Sequence, residues 1–213
     1  MKVTIKARIT LNDKDGKPLR LGRIGKHVFK FPLGKKSVSV KCNSYVRQLI
    51  DILYGSMAGS TAESTKDTSN AAQNMIDGGG WYYMNSALNV SQLLVTAGVG
   101  DTTYGIQVGT AGGAITINDY HLNTLILNGN SATQLEYGSV SVGGVAIVGS
   151  TAQFTIARTM TNNSGADITV NEVGLVVKPY SRAIYFLVEH SLLTFTVTNG
   201  TSGTVTYTIS VSV

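Results

Sequence analysis

The sequence predicts a mainly β protein: an antiparallel β-sandwich with one packed α-helix and a basic N-terminal β-hairpin arm. Three observations carry this. Short segments of strand composition recur through the second half of the chain, and turn residues punctuate them, with 24 glycines but only 14% charged residues. No helical pattern separates these strands, which favours antiparallel packing in a sandwich over a parallel α/β sheet. The length of 213 residues suits one sizeable β domain or one domain plus an arm.

Residues 1–43 form the basic β arm. Val3, Ile5 and Ile9 alternate with Lys2, Thr4 and Lys6, and the turn residues Asn12, Asp13, Asp15 and Gly16 follow. Val28 to Phe31 and Ser37 to Val40 are two further short strands around Pro32 and Gly34, with the lysines outward. A helix is expected over 44–57, with Ser44 as N-cap. Tyr45, Leu49, Leu53 and Met57 recur every four residues with Val46, Ile50 and Tyr54 beside them, leaving Arg47, Gln48 and Asp51 off the apolar stripe. Residues 58–85 open with small polar residues and are read as an excursion loop that covers a neighbour. They close on an aromatic patch, Trp81, Tyr82 and Tyr83.

The sandwich body spans 86–213 and forms one domain with 1–57. Strands are expected at 93–95, 104–108, 125–127, 140–148, 154–157, 168–177, 185–188, 194–198 and 205–213. The ending shows the alternation best. Leu193, Phe195 and Val197 interleave with threonines, Asn199 to Gly203 turn, and Val205, Tyr207, Ile209, Val211 and Val213 interleave with Thr and Ser. In the stretch TMTNNSGADITVNEVGLVV, residues 159–177, the loop 162–167 reads as a hairpin turn. Beyond it, Ile168 and Val170 lie on one parity and Val173, Leu175 and Val177 on the other. The apolar face therefore changes register at Asn171 and Glu172, which predicts a one-residue bulge eased by Gly174, with Glu172 serving backbone N–H groups at the irregularity.

Charge is distributed unevenly. Residues 1–50 hold 13 of the 17 Lys and Arg against Asp13 and Asp15, a net +11, and the rest holds four bases and ten acids, a net −6, giving +5 for the chain. A basic segment beside an acidic body suggests head-to-tail attachment of like subunits, or contact with nucleic acid. The candidate assembly interface is Lys2, Lys6, Arg8, Arg20, Arg23, Lys26, Lys30, Lys35 and Lys36 with Trp81, Tyr82 and Tyr83. Phe29 and Phe31 among these lysines are the residues through which DNA would be held, the less favoured contact.

Recognisable catalytic or ligand motifs are missing. His27, His121 and His190 have no partner at zinc-site spacing. The lone Cys42 allows no intrachain disulfide and is read as a packed residue. Residues 34–37 lack the glycine pattern of a phosphate loop, and the turn at 12–16 lacks the closing Glu of a calcium loop. Asp101, Asp119, Glu136, Asp167, Glu172 and Glu189 are the body's candidates for paired-carboxylate hydrolysis, and spacing marks out no pair. The expectation is no enzyme, no cofactor, no metal and no small-molecule substrate. The N-terminal MKVTIKARIT has no apolar core of signal-peptide length and no run approaches a membrane span, so synthesis in the cytosol is expected.

Several motifs, in order, carry a resemblance: Tyr104-Gly105-Ile106-Gln107-Val108-Gly109-Thr110; Ile117-Asn118-Asp119-Tyr120-His121-Leu122; Leu135-Glu136-Tyr137-Gly138; Thr159 to Gly165 leading into Thr169-Val170-Asn171-Glu172-Val173-Gly174-Leu175; and Val197 to Gly200 with Val205 to Ile209. Their order and spacing resemble a recurrent type of tailed-bacteriophage virion structural protein, and Tyr45-Val46-Arg47-Gln48-Leu49 extends the match over most of the chain. The resemblance implies a virion protein made in the host cytoplasm, without a catalytic site, whose partners are copies of itself and other virion proteins. It would form a ring, tube or lattice in a tail tube, baseplate or tail-associated position. Capsid decoration or a DNA-touching connector, and a host-surface or glycan-binding domain built on Trp81, Tyr82 and Tyr83, are the alternatives.

Overall fold

The computed structural model describes residues 2–13, 15, 17, 37–42, 45–58, 64–74, 93–179 and 183–212, with side chains described for all of these except 2–5, 37–42, 53, 55–58, 64 and 74. The chain runs through β1 (Lys2–Asn12), β2 (Ser37–Cys42), α1 (Arg47–Ala58), β3 (Ser64–Lys66), β4 (Ala72–Asn74), β5 (Leu93–Leu94), β6 (Gly105–Gly109), β7 (Glu136–Val142), β8 (Ala146–Val148), β9 (Thr151–Asn162), β10 (Ile168–Pro179), β11 (Phe186–Val197) and β12 (Thr201–Ser212). Strand pairing is antiparallel throughout these elements. One sheet has the order β2-β1-β12-β9-β7, with β8 also on β9; the other has β11-β10-β6, with β5 on the end of β10.

The two sheets close on one apolar core. Ala7, Ile9, Leu11, Tyr137, Ile156, Met160, Val205 and Tyr207 come from the first, and Ile106, Val108, Val170, Val173, Leu175, Leu187, Phe195 and Val197 from the second. Strict alternation produces this: on β12, Val205 and Tyr207 are fully buried while the intervening threonines remain partly exposed.

The basic N-terminal hairpin is built into this body. β1 pairs with β12 along its whole length, from Lys2 opposite Ser212 to Asn12 opposite Ser202, and with β2 on its other edge. Ala7, Ile9 and Leu11 are buried, while Lys6 and Arg8 point outward, as alternation requires.

Helix α1 exists but shows a different face from the one expected. Val46, Gln48, Asp51 and Ile52 are buried and Leu49 partly so, whereas Ile50 and Tyr54 are 60% and 49% exposed. An α-helix advances 100° per residue, so a strict spacing of four drifts by about 40° each step, and the buried stripe follows 45, 48, 49 and 52 instead. Burial of Asp51 is tolerated because Arg47 bonds its carboxylate from one turn before, Nε to Oδ1 at 3.4 Å.

Other boundaries shift for local reasons. The strand expected at 125–127 is only a bridge, Leu125 to Gly109, held by Ile126 N–H donating to the Val108 carbonyl. The strand expected at 140–148 is broken at Gly143 and Gly144 into β7 and β8, and the two expected at 185–188 and 194–198 are one strand, β11. Within the polar excursion, β3 and β4 pair around Asp67, whose Oδ1 accepts bonds from Ser69 N–H, Ser69 Oγ–H and Ala71 N–H.

The turns at 162–167 and 199–203 were expected to close hairpins. Both instead carry the chain from one sheet to the other, since β9 and β12 belong to the first and β10 and β11 to the second. Polar side chains pin these corners to each other. The buried Asn162 donates through Nδ2 to the Ala166 and Val197 carbonyls, Gly165 N–H donates to Asn199 Oδ1, and Asn199 N–H donates to Asp167 Oδ1. Leaving one sheet for the other abandons ladder bonds, and these side chains replace them.

Candidate functional site

The register change expected in β10 is present. Val170 stands opposite Phe195 and Glu172 opposite Leu192, with an irregularity between the two pairs. The apolar residues switch parity there, Ile168 and Val170 before it and Val173, Leu175 and Val177 after it, and all five are buried. The other face is covered as well: from Glu172 to Val177 every residue of β10 is buried. The cover is the segment 110–127. Gly174 makes close approach possible, since a Cβ there would stand 2.9 Å from both Leu122 Cδ2 and Leu187 Cδ1; its part is packing clearance rather than easing a bend.

Under this cover Glu172 is fully buried and fully partnered. Its Oε1 accepts the Thr124 N–H at 2.8 Å, and its Oε2 accepts the Asn123 N–H at 3.1 Å and His190 Nε2 at 2.9 Å. The N–H groups it serves thus belong to the covering segment, 48 and 49 residues away in sequence. His190, also fully buried, bonds Asp119 Oδ2 through Nδ1 at 2.8 Å. Carboxylates only accept, so both ring nitrogens must carry protons and the imidazole is charged between two anions. Burial disfavours that charge, but the bonds to Glu172 and Asp119, together with their charges, outweigh it and hold the His190 pKa above its usual value. Burial would likewise raise Glu172, yet the His190 bond and the two backbone N–H groups bring it below the ordinary carboxylate range. Asp119 is lowered in the same sense, against its own burial, by the Thr116 hydroxyl and N–H and by His190.

Gly109 sits opposite Glu172 on β6. A Cβ at this glycine would stand 2.4 Å from Glu172 Oε1 and 2.5 Å from the Thr124 carbonyl. Gly109→Ala is expected to cost about 1–3 kcal/mol by overpacking, read as a lowered urea midpoint together with faster exchange of the Thr124 amide. An unchanged midpoint would show that the cover is not held this tightly.

A second buried cluster crosses the sandwich: the Ser191 and Tyr207 hydroxyls both donate to the Glu189 carboxylate. A third is Arg158, 1% exposed. Its five donors meet five carbonyls: Nε to Gly138 at 2.8 Å, Nη1 to Tyr104 at 3.4 Å and Ile106 at 3.0 Å, and Nη2 to Gly98 at 3.1 Å and Asp101 at 2.6 Å. The guanidinium also lies 4.6 Å over the Tyr137 ring. Burial pushes the Arg158 pKa down and the Tyr137 pKa up.

The acids considered together from the sequence thus separate by role. Asp119 and Glu172 meet at His190, Glu189 lies in the core, and Asp101, Glu136 and Asp167 cap or tie turns. The sequence reading missed Arg158; the signal that could have found it is parity, since Ile156 and Met160 flank it on the inward side. Of the expected assembly residues, Lys6 and Arg8 are exposed on the outer face of the larger sheet, with Lys6 opposite Lys41. Lys2 is in β1, its side chain outside the description; Arg20, Arg23, Lys26, Lys30, Lys35, Lys36, Trp81, Tyr82 and Tyr83 lie outside the described residues altogether, as does His27. Among the described residues no group of His, Cys, Asp and Glu is arranged to hold a metal ion, and no helix is long and apolar enough to cross a membrane. The chain has no match among protein-family models, curated proteins or solved structures.

Proposed function

We propose that the protein is a non-enzymatic structural component of a tailed-bacteriophage virion that assembles with copies of itself into a ring, tube or lattice, in a tail tube, baseplate or tail-associated position. The observation that carries this reading is an apolar projection at one end of the sandwich. Residues 141–150 are all exposed, and Val145, Ile147 and Val148 are 75%, 78% and 65% exposed, with Val142 and Val211 adding to the patch. Clustered aliphatic residues at the open end of a sheet favour burial against another molecule. The opposite end of β9, about 37 Å away at the usual rise per residue, carries the polar corners with Glu136 and Asp167. Unlike ends suit head-to-tail contact, which closes into rings or stacks into tubes. The sealing of Glu172 and His190 beneath 110–127 supports a load of structure rather than of chemistry, because no substrate reaches fully buried groups. The motif resemblance supplies the virion.

Replacing Val145, Ile147 and Val148 together with Ser is expected to convert oligomer to monomer in sedimentation velocity with the thermal midpoint kept, since these side chains pack against little in the monomer. Monomeric wild-type protein, or a variant that assembles equally well, would overturn the assembly reading. Antibody labelling of purified phage particles in electron microscopy tests the virion itself.

A further inference from the structure

A cleft of about 450 Å³ opens beside the sealed network, lined by Thr68, Thr102, Thr103, Gln107, His121, Leu122, Leu125, Leu127 and Tyr185. Its size falls within the roughly 300–1,000 Å³ of small-ligand sites. Four segments wall it, Thr68, 102–107, 121–127 and Tyr185, and each is pinned. The 121–127 wall continues directly into Asn123 and Thr124, whose N–H groups Glu172 holds. The 102–103 wall is an Asp101 turn, with Asp101 Oδ1 accepting Thr103 N–H and Oγ–H and the Asp101 carbonyl held by Arg158. The Thr68 wall is the β3–β4 turn, whose Thr68 N–H donates to the Tyr185 carbonyl. A site with fixed walls binds at a lower ordering cost.

The lining selects its ligand by chemistry. Among the described residues that line it there is no Lys, Arg, Asp or Glu. His121 Nδ1 lies 2.6 Å from the Leu122 carbonyl, which only accepts, so Nδ1 carries the proton and Nε2 is the ring nitrogen that can meet a ligand hydroxyl. Nearby cations are engaged elsewhere, Lys66 over the Tyr120 ring and Lys178 over the Tyr104 ring. Phosphates, carboxylates and zwitterions therefore find no counter-charge among the described lining residues. What the walls offer is apolar surface from leucines and the Tyr185 ring, which stacks on Tyr104, and a rim of hydroxyl, amide and imidazole groups.

We infer that this cleft binds a neutral saccharide, with one sugar face on the leucines and Tyr185 and its hydroxyls on the threonines, Gln107 and His121. The inference is independent of the assembly reading.

Titration of the full chain by amide NMR with lactose, maltose, cellobiose and diacetylchitobiose, each to about 20 mM to reach millimolar affinities, tests it. At least one disaccharide is expected to shift the Thr68, Thr102 and Leu125 amides, a sugar phosphate to bind more weakly, His121→Phe to weaken binding about tenfold while keeping the thermal midpoint, and Tyr185→Ala, which also loses packing on Tyr104, to weaken it as much at a temperature where its amide spectrum remains that of the folded protein. Retention on insoluble cellulose or chitin, displaced by free disaccharide, would assign the ligand to a polymer; solution binding without retention would assign it to a free sugar. No shifts with any disaccharide, shifts elsewhere, tighter binding of the sugar phosphate, or variants that bind like wild type would overturn the inference.

Discussion

Arg158→Met is expected to lower stability by about 3–5 kcal/mol. The side chain is buried, and its five N–H groups bond the carbonyls of Gly98, Asp101, Tyr104, Ile106 and Gly138. Removing a buried donor strands its acceptors, and each stranded group loses about 1–3 kcal/mol of desolvation that nothing offsets; water entering at the turn end restores part. Methionine fills similar volume, so packing changes little and the loss reports the bonds. Arg158→Lys keeps the charge but has three rotatable donors on one atom in place of a planar fork, and it should fall between methionine and wild type. Urea denaturation of the three proteins measures this. A methionine variant within 1 kcal/mol of wild type would show that the carbonyls find other donors.

His190→Leu is expected to destabilise by about 3–5 kcal/mol near pH 6, because it leaves Glu172 and Asp119 charged beneath the cover with no cation between them. Its pH dependence separates this cause from simple loss of packing. In the wild-type protein the His190 pKa is raised, so its contribution is complete below its unfolded value of about 6.5 and is lost as pH rises through the folded value. Glu172 and Asp119 are lowered, so theirs is complete above their unfolded values of about 4 and is lost as pH falls through the folded values. Stability should therefore peak between about pH 4.5 and 6.5. In the leucine variant the carboxylates protonate on acidification and the repulsion ends, so the gap to wild type should narrow below about pH 4. Denaturation across pH, with hydrogen exchange of the Asn123 and Thr124 amides, reads both limbs. A gap that is constant with pH would mean that His190 acts only as packing.

How much of this was legible varies by element. The last strand and the parity switch at Asn171 and Glu172 could be read directly, because a period of two is visible over a handful of adjacent residues. The helix was legible in existence but not in facing: its buried stripe takes in Gln48 and Asp51, and only the neighbouring β3 and β11 decide which side is covered. The corners at 162–167 and 199–203 carry ordinary turn composition, and nothing local distinguishes a turn that closes a hairpin from one that changes sheets. Glu172 was legible as an irregular position, but its partners were not, for Asp119, Asn123, Thr124 and His190 come from other elements.

By itself, then, the sequence determined the class of fold, the strand alternation and the site of the bulge, all of which follow from steric and solvation preferences that act within a few residues. Tertiary structure alone decided that the basic hairpin fills the larger sheet, that segment 110–127 covers β10, and that a charged histidine joins Glu172 to Asp119. Those outcomes depend on which distant groups share a dry space, where a charge must find its counter-charge and a carbonyl its donor, and one strand's pattern does not specify the other side of that space.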